Sequence, residues 1–293
     1  MVQKKFGSAE STGRKLDVIG EYLSIYQRAL SNTSLRTHYI DGFAGSGEIP
    51  VSLKSAELAH DDENEIILGS AHRALNVEPP FERFTFIDKR KDCVEALKQK
   101  FRGHANESRI RYIVGDANEQ INKICLDENW RGQRGVVLLD PFGNQVSWDT
   151  ITTIAETRAL DLWYLFPAGL GVFRQISNSG TVHHTHEPSI TRLFGTDEWK
   201  TAFLQPSRQQ SLFDDYEQFD KTVTPESAAL FMINRLRSVF KGGVMDEMIP
   251  LGQHAYPSYY LLFAWSNPSK KATALASKLS KAAVRATERK YGG

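Results

Sequence analysis

The chain has little cysteine. Two thiols, Cys93 and Cys125, among 293 residues cannot build a disulfide framework, and they show no paired spacing for a zinc site. This points to a reducing compartment, and the expected location is the cytoplasm. Long apolar runs are also missing. The longest falls far short of the ~20 residues a membrane helix needs, so no membrane partner is expected. The opening Met1-Val2-Gln3-Lys4-Lys5 leads into no apolar segment of the secretory kind. There is no excess of either charge: 36 basic against 35 acidic residues leave a net charge of +1. The overall balance therefore argues neither for nor against a polyanionic partner. Internal repeats and low-complexity tracts are lacking too. What remains is 41% hydrophobic and 11% aromatic, a composition that fills a globular core.

One stretch organises the rest. Thr37-His38-Tyr39-Ile40-Asp41-Gly42-Phe43-Ala44-Gly45-Ser46-Gly47 begins as a β-rich run, ends in an acid, and turns through three glycines. Backbone without a Cβ lets a cofactor approach closely. The order is G-x-x-G-x-G, not the dinucleotide order G-x-G-x-x-G, which counts against a nucleotide-dependent oxidoreductase. Read alone, it is equally an ordinary turn after a strand. The order Asp-x-Phe-Ala-Gly-Ser-Gly resembles motif I of class I S-adenosylmethionine-dependent methyltransferases, especially those acting on nucleobase amino groups.

The same strand-then-acid pattern recurs. Phe84–Asp88 reads as a second strand and Arg111–Asp116 as a third, with Ala117 and Asn118 following. An acid at the tip of the second strand is placed to hold ribose hydroxyls. Asp88 lies 47 positions after Asp41, beyond the usual ~20. The polar stretch 48–68 accounts for the excess and is read as a lid or a surface insertion. Asp116 is placed for an adenine amino group, since a carboxylate accepts from an exocyclic N–H. Both acids could instead cap the helices that follow. Ser70 is expected to cap a helix over Ala71–Leu75.

Gly135-Val136-Val137-Leu138-Leu139 is aliphatic throughout, as in a parallel strand buried on both faces. Asp140-Pro141-Phe142-Gly143 then falls at the sheet's carboxyl edge, where ligands bind. It resembles motif IV of amino-methyltransferases. That likeness implies that Asp140 and the backbone carbonyl after it accept the target amine's protons, with Phe142 as stacking surface. The bland alternative is a strand-to-helix turn.

Other elements complete the reading. Helical spacing appears over Lys15–Leu30, Lys91–Phe101, Trp148–Glu156, Pro225–Phe240 and from Ser269 to about Tyr291. Asp161–Phe166 reads as a fifth strand, and Val244–Leu251 and Tyr259–Trp265 as two more. The expected architecture is α/β, a Rossmann-like class I methyltransferase: a seven-stranded, mostly parallel sheet with one antiparallel strand, helices on both faces and an α-rich insertion over 171–222. The whole chain is expected to be one domain. His183, His184 and His186 cluster without a partnering acid or thiol and read as solvated. From Ser269 onward seven basic residues face one acid, either a phosphate-contacting face or a solvated helix face with no aromatic between the charges.

The leading helix, Tyr39–Gly47, Gly69-Ser70, Ile87-Asp88 and Leu139–Gly143 with Val146 and Trp148 together resemble the three-Cys-motif partner family, TcmP. Ser46, and Ala71 after Ser70, depart from prolines common in that family. The resemblance implies a Rossmann-like methyltransferase fold and a companion protein carrying three cysteines. The expected cofactor is S-adenosylmethionine, held by Asp41, Gly42, Phe43, Ala44, Gly45, Gly47, Asp88, Asp116 and Ala117. Asp140, Pro141, Phe142 and Gly143 form the expected catalytic loop. The expected reaction is N-methylation of a nucleobase in RNA or DNA. A non-catalytic module that docks the companion protein is the alternative.

Overall fold

A computed structural model describes residues 9–50, 66–207, 219–252 and 256–291. In chain order its first half runs α1 (Ala9–Leu30), β1 (Arg36–Asp41), β2 (Glu48–Pro50), β3 (Ile66–Leu68), α2 (Ser70–Leu75), β4 (Arg83–Asp88), α3 (Lys91–Lys100), β5 (Ile110–Val114), α4 (Ala117–Asp127) and β6 (Gln133–Leu139). There follow α5 (Trp148–Glu156), β7 (Leu160–Phe166), α6 (Glu187–Phe194), α7 (Glu198–Phe203), β8 (Leu204–Pro206), β9 (Phe219–Lys221), α8 (Pro225–Val239), β10 (Gly243–Val244), β11 (Ile249–Leu251), β12 (Tyr259–Trp265) and α9 (Lys270–Tyr291).

The main sheet runs β10-β12-β7-β6-β1-β4-β5, with β11 also paired to β12. From β7 to β5 every pairing is parallel, while β12 runs against β7. This is the expected doubly wound sheet with one reversed strand. It has eight strands rather than seven because the run read as Val244–Leu251 pairs with β12 at two separate places, β10 and β11.

Period-2 alternation sends side chains to opposite faces of the sheet. Tyr39, Val136, Leu138, Trp163 and Phe263 enter one apolar cluster with α1, α2, α3 and α9. Ile40, Val137, Leu139, Leu162 and Tyr164 enter the other with α4, α5 and α8. The insertion joins this second cluster through Ile190, Leu193, Phe194, Trp199 and Phe203. Its helical pieces divide at Gly195, which ends α6 in the left-handed region. A small β8–β9 hairpin follows, and positions 208–218 lie outside the described residues.

Two further expectations change. The ends of the proposed lid, Glu48–Pro50 and Ile66–Leu68, pair antiparallel, while 51–65 lie outside the described residues. Ser70 does not cap α2. Gly69 holds the cap position, and the Ser70 hydroxyl donates to Asp41 Oδ2 at 2.5 Å instead. Ser70 is the first helical residue rather than the flanking one, so its hydroxyl is not placed to cap and donates to the buried carboxylate. Among the described residues, no helix is long and apolar enough to cross a membrane.

Candidate active site at the carboxyl edge of the sheet

Backbone bonds fix the glycine turn between its neighbours. Gly42 N donates to Leu138 O (3.0 Å) and Ala44 N to Ile87 O (2.9 Å), extending the pairing of β1 past its end on both sides. Gly47 has φ +81°, and a Cβ there would lie 2.6 Å from Leu97 Cδ1, so only glycine fits. Gly45 has φ +60° with nothing within 4 Å of a Cβ. Its amide donates to Asp88 Oδ2 at 3.0 Å, which ties the turn to the tip of β4.

Beside this turn opens a cavity of about 470 Å³, within the size range of small-ligand sites. Gly42, Phe43, Asp88, Asp116, Ala117, Asp140 and Phe142 line it, from the ends of β1, β4, β5 and β6. Lys89, Arg90, Gln145 and Arg192 complete the wall. Ala44, Gly45, Gly47, Pro141 and Gly143 are not among its lining residues. They shape the loops behind it. Pro141 is buried, and Gly143, at φ +79°, closes the turn with Gln145 N donating to its carbonyl at 2.9 Å.

Asp41 does not line the cavity either. It is 0% exposed and accepts from the Ser70 hydroxyl and from Phe43 N at 3.1 Å. Burial pushes its carboxyl up to about 6, against the lowering effect of those two donors. The expectation that Asp41 meets the cofactor becomes a different assignment: it braces the glycine turn from below.

The other acids keep capacity for a ligand. Asp88 accepts from Gly45 N and, through Oδ1, from Arg90 N at 2.7 Å. An ionised carboxylate offers about four lone-pair sites, so two bonds do not exhaust it. Asp116 caps α4, accepting from Asn118 N (2.9 Å) and Glu119 N (3.3 Å) through Oδ1. Both proposed roles, cap and cavity wall, therefore meet on one residue. The acceptor set fits an adenosine: carboxylates for two ribose hydroxyls and an exocyclic amine, beside the lining backbone of Gly42 and Phe43.

The loop carrying Asp140 is hung from three places. Asn118 Nδ2 donates to Gln145 O (2.8 Å), Arg192 Nη2 to Asn144 O (2.9 Å) and Asn144 Nδ2 to Gly171 O (2.6 Å). Gln145 Oε1 accepts from Phe142 N at 2.8 Å. This leaves the Phe142 side chain 61% exposed at the rim.

Lys15, on α1, forms an ion pair with Asp140 Oδ2. Its side chain is 9% exposed, and that of Asp140 22%. Asp140 also acts on Tyr259, whose hydroxyl is pushed up to about 12, by burial first and by that carboxylate second. Neither Lys15 nor Tyr259 was picked out from the sequence. The signal for Lys15 was present: it stands four residues before Ile19 and seven before Tyr22, in register with the buried stripe of α1, where a cation needs a partner.

The histidine cluster lies elsewhere. His183 Nδ1 contacts Thr185 Oγ1 at 2.7 Å, and among the described residues no group of three His, Cys, Asp or Glu could hold a metal.

No protein-family profile matches the chain, and no curated protein matches it. Solved structures are similar in fold. A Legionella pneumophila protein of the family DUF519 aligns at 11% identity over 91% of both chains, with a TM-score of 0.47. An S-adenosylmethionine-dependent methyltransferase from Clostridium acetobutylicum aligns at 11% identity over 85% of this chain and 91% of its own, at 0.39. A structure described as a putative S-adenosylmethionine-dependent methyltransferase from Listeria monocytogenes aligns at 13% over 84% and 97%, at 0.38. None of the three reaches a TM-score of 0.5, so the fold assignment stands on the strand order itself.

Proposed function

We propose that the protein is an S-adenosylmethionine-dependent methyltransferase acting on the amino nitrogen of a nucleobase in RNA or DNA, in the cytoplasm. One observation carries the reading: Asp140 and Phe142 share a single cavity with Asp88 and Asp116. Acceptors for an adenosine and acceptors for a substrate amine thus meet at one strand edge. When bound, the cofactor supplies an electrophilic methyl group. Asp88 would hold the ribose and Asp116 the adenine amine, with the lining backbone of Gly42 and Phe43 toward the amino-acid end.

Asp140 orients the acceptor. Lys15 takes up Oδ2, and no hydrogen bond to Oδ1 is found among the described residues. Oδ1 therefore faces the amine as an acceptor, and an amine that donates its protons there keeps its lone pair aimed at the methyl. Phe142 stacks on the planar base. Most of the acceleration comes from this positioning. Isotopically labelled methionine and mass spectrometry of nucleosides, from cells with and without the gene, test the reading. A labelled methyl nucleoside that vanishes with the gene supports it, and an unchanged nucleoside profile contradicts it.

A second reading also has an observation in its favour. The carboxylate that the chemistry uses is already engaged by Lys15, as in a fold kept for docking. Here the protein is an accessory to a three-cysteine companion, as the TcmP resemblance implies. Full activity of a companion co-purified with an Asp140→Ala variant would favour it.

A further inference from the structure

The outer face of α9 carries five exposed cations: Lys271, Lys278, Lys281, Arg285 and Arg289. At 3.6 residues per turn they fall within an arc of about 80° and extend over about 27 Å. Among the described residues none of them forms an ion pair. The opposite face of α9, with Ala276, Leu279, Ala283 and Val284, packs into the core.

The stripe has a direction. Trp265, at the end of β12, pairs with Asp161 near the start of β7, so α9 begins at the sheet's amino edge and climbs to its carboxyl edge. There Lys290 and the Tyr291 hydroxyl meet Asp17, two residues from Lys15. The rim continues past the first turns of α1, where Gly252 N donates to Ser11 Oγ at 3.2 Å. It reaches Tyr256, 59% exposed, whose ring stacks on Phe173 at 5.2 Å and 11°. Lys221 Nζ sits 3.5 Å from the Phe173 ring centre. A row of cations thus climbs to the sheet edge that also carries an outward aromatic, since Tyr256 falls between the end of β11 and the start of β12, where Tyr260 pairs with Phe166 at the end of β7.

We propose that a single-stranded nucleic acid lies along α9, its phosphates against the five cations, and delivers its bases to the carboxyl edge with one base stacked on Tyr256. Backbone-tracking cations that end in a stacking platform are what an unpaired strand recognises. An acidic protein would use the cations but not the exposed ring. The proposal deepens the methyl-transfer reading and rests on it for the purpose of the strand, not for the binding itself.

The test is fluorescence anisotropy of full-length protein with labelled single-stranded 20-mers, one RNA and one DNA, between 50 and 200 mM salt. With five phosphate contacts at ~0.7 each, log K falls against log salt with a slope of about −3.5, about a hundredfold over that range. A variant with all five cations changed to Gln keeps helix propensity and loses most of that slope. Tyr256→Ala weakens binding about tenfold with the slope unchanged. Preference for one oligonucleotide identifies the natural strand. Equal slopes for wild type and variant, or no binding to either oligonucleotide, overturn the proposal. So does equal affinity for polyglutamate with no effect of Tyr256→Ala, which would mark an acidic protein as the occupant. Calorimetry with S-adenosylmethionine on the same samples separates the two ideas. Wild-type protein that binds strand but no cofactor loses the methyl-transfer reading and keeps the α9 surface.

Discussion

Asp41 and Asp140 end adjacent parallel strands, β1 and β6, and in the sequence they look alike: an apolar run, an acid, a turn. The fold uses them differently. Asp41 is sealed at 0% exposure and satisfied by Ser70 and Phe43 N. Asp140 faces the cavity, with one oxygen paired to Lys15. The side chain that each acid meets decides the difference. Ser70, at the start of α2, sits over the tip of β1, whereas the Asn118, Arg192 and Gly171 bonds hold the β6 loop open. An acid at a strand tip is therefore a scaffold or a reactive group according to what covers it.

The largest expected effect separates the two acids directly. Asp140→Ala should lower methyl transfer about 10²–10³-fold, as for loss of one preorganised electrostatic partner, and leave cofactor affinity unchanged. Because this strands Lys15 as a buried cation, the Lys15→Met/Asp140→Ala double variant is the control: it should fold as the wild type does and be equally inactive. Wild-type turnover in either variant would remove Asp140 from the chemistry.

Asp41→Ala should act on stability rather than on chemistry. It leaves the Ser70 hydroxyl and Phe43 N without their acceptor, at a cost of about 2 kcal/mol, or about 3 °C in melting temperature for a chain of this size. Below the melting point, turnover per folded molecule should remain. A melting temperature equal to wild type with turnover abolished would reverse the assignment of the two acids.

A further effect tests a half-buried acid, Asp161, against the sealed Asp41. Asp161, on β7, accepts from the Tyr22 hydroxyl at 2.7 Å, and burial pushes its carboxyl up to about 7 from 3.8. The folded state then binds more protons than the unfolded state between those values, so this acid's contribution to stability is present below pH ~4 and lost as pH rises through about 7. His38 acts in the opposite sense, its ring pushed down to about 3, chiefly by burial. Comparing Asp161→Asn with wild type cancels the His38 contribution. The variant's advantage in melting temperature should grow from pH 4 to pH 8, and a constant difference would contradict the buried-acid account.

Much of this was legible in the sequence because its causes are local. Trp148–Glu156 matches the expected helix residue for residue, since period and caps are written within the segment. The cavity lining was legible for the same reason: parallel strands put their following residues at one edge. What was missed depends on contacts between distant segments. Lys15 meets Asp140 across 125 positions, and Ser70 reaches Asp41 across 29. No spacing rule carries such pairings. The split of the run Val244–Leu251 into β10 and β11 was hidden likewise, because both halves pair with one long neighbour, β12.

The central claim is that the cavity between β1, β4, β5 and β6 takes S-adenosylmethionine, with Asp88 as a wall and Asp41 as a brace. Isothermal titration of the intact protein with S-adenosylmethionine tests it most directly. The account predicts one-to-one binding that Asp88→Ala weakens at least tenfold, an estimate of about 1.4 kcal/mol for losing a charged hydrogen-bond acceptor, and that Asp140→Ala leaves unchanged. No heat of binding with the wild-type protein, or equal affinity in the Asp88 variant, would contradict it.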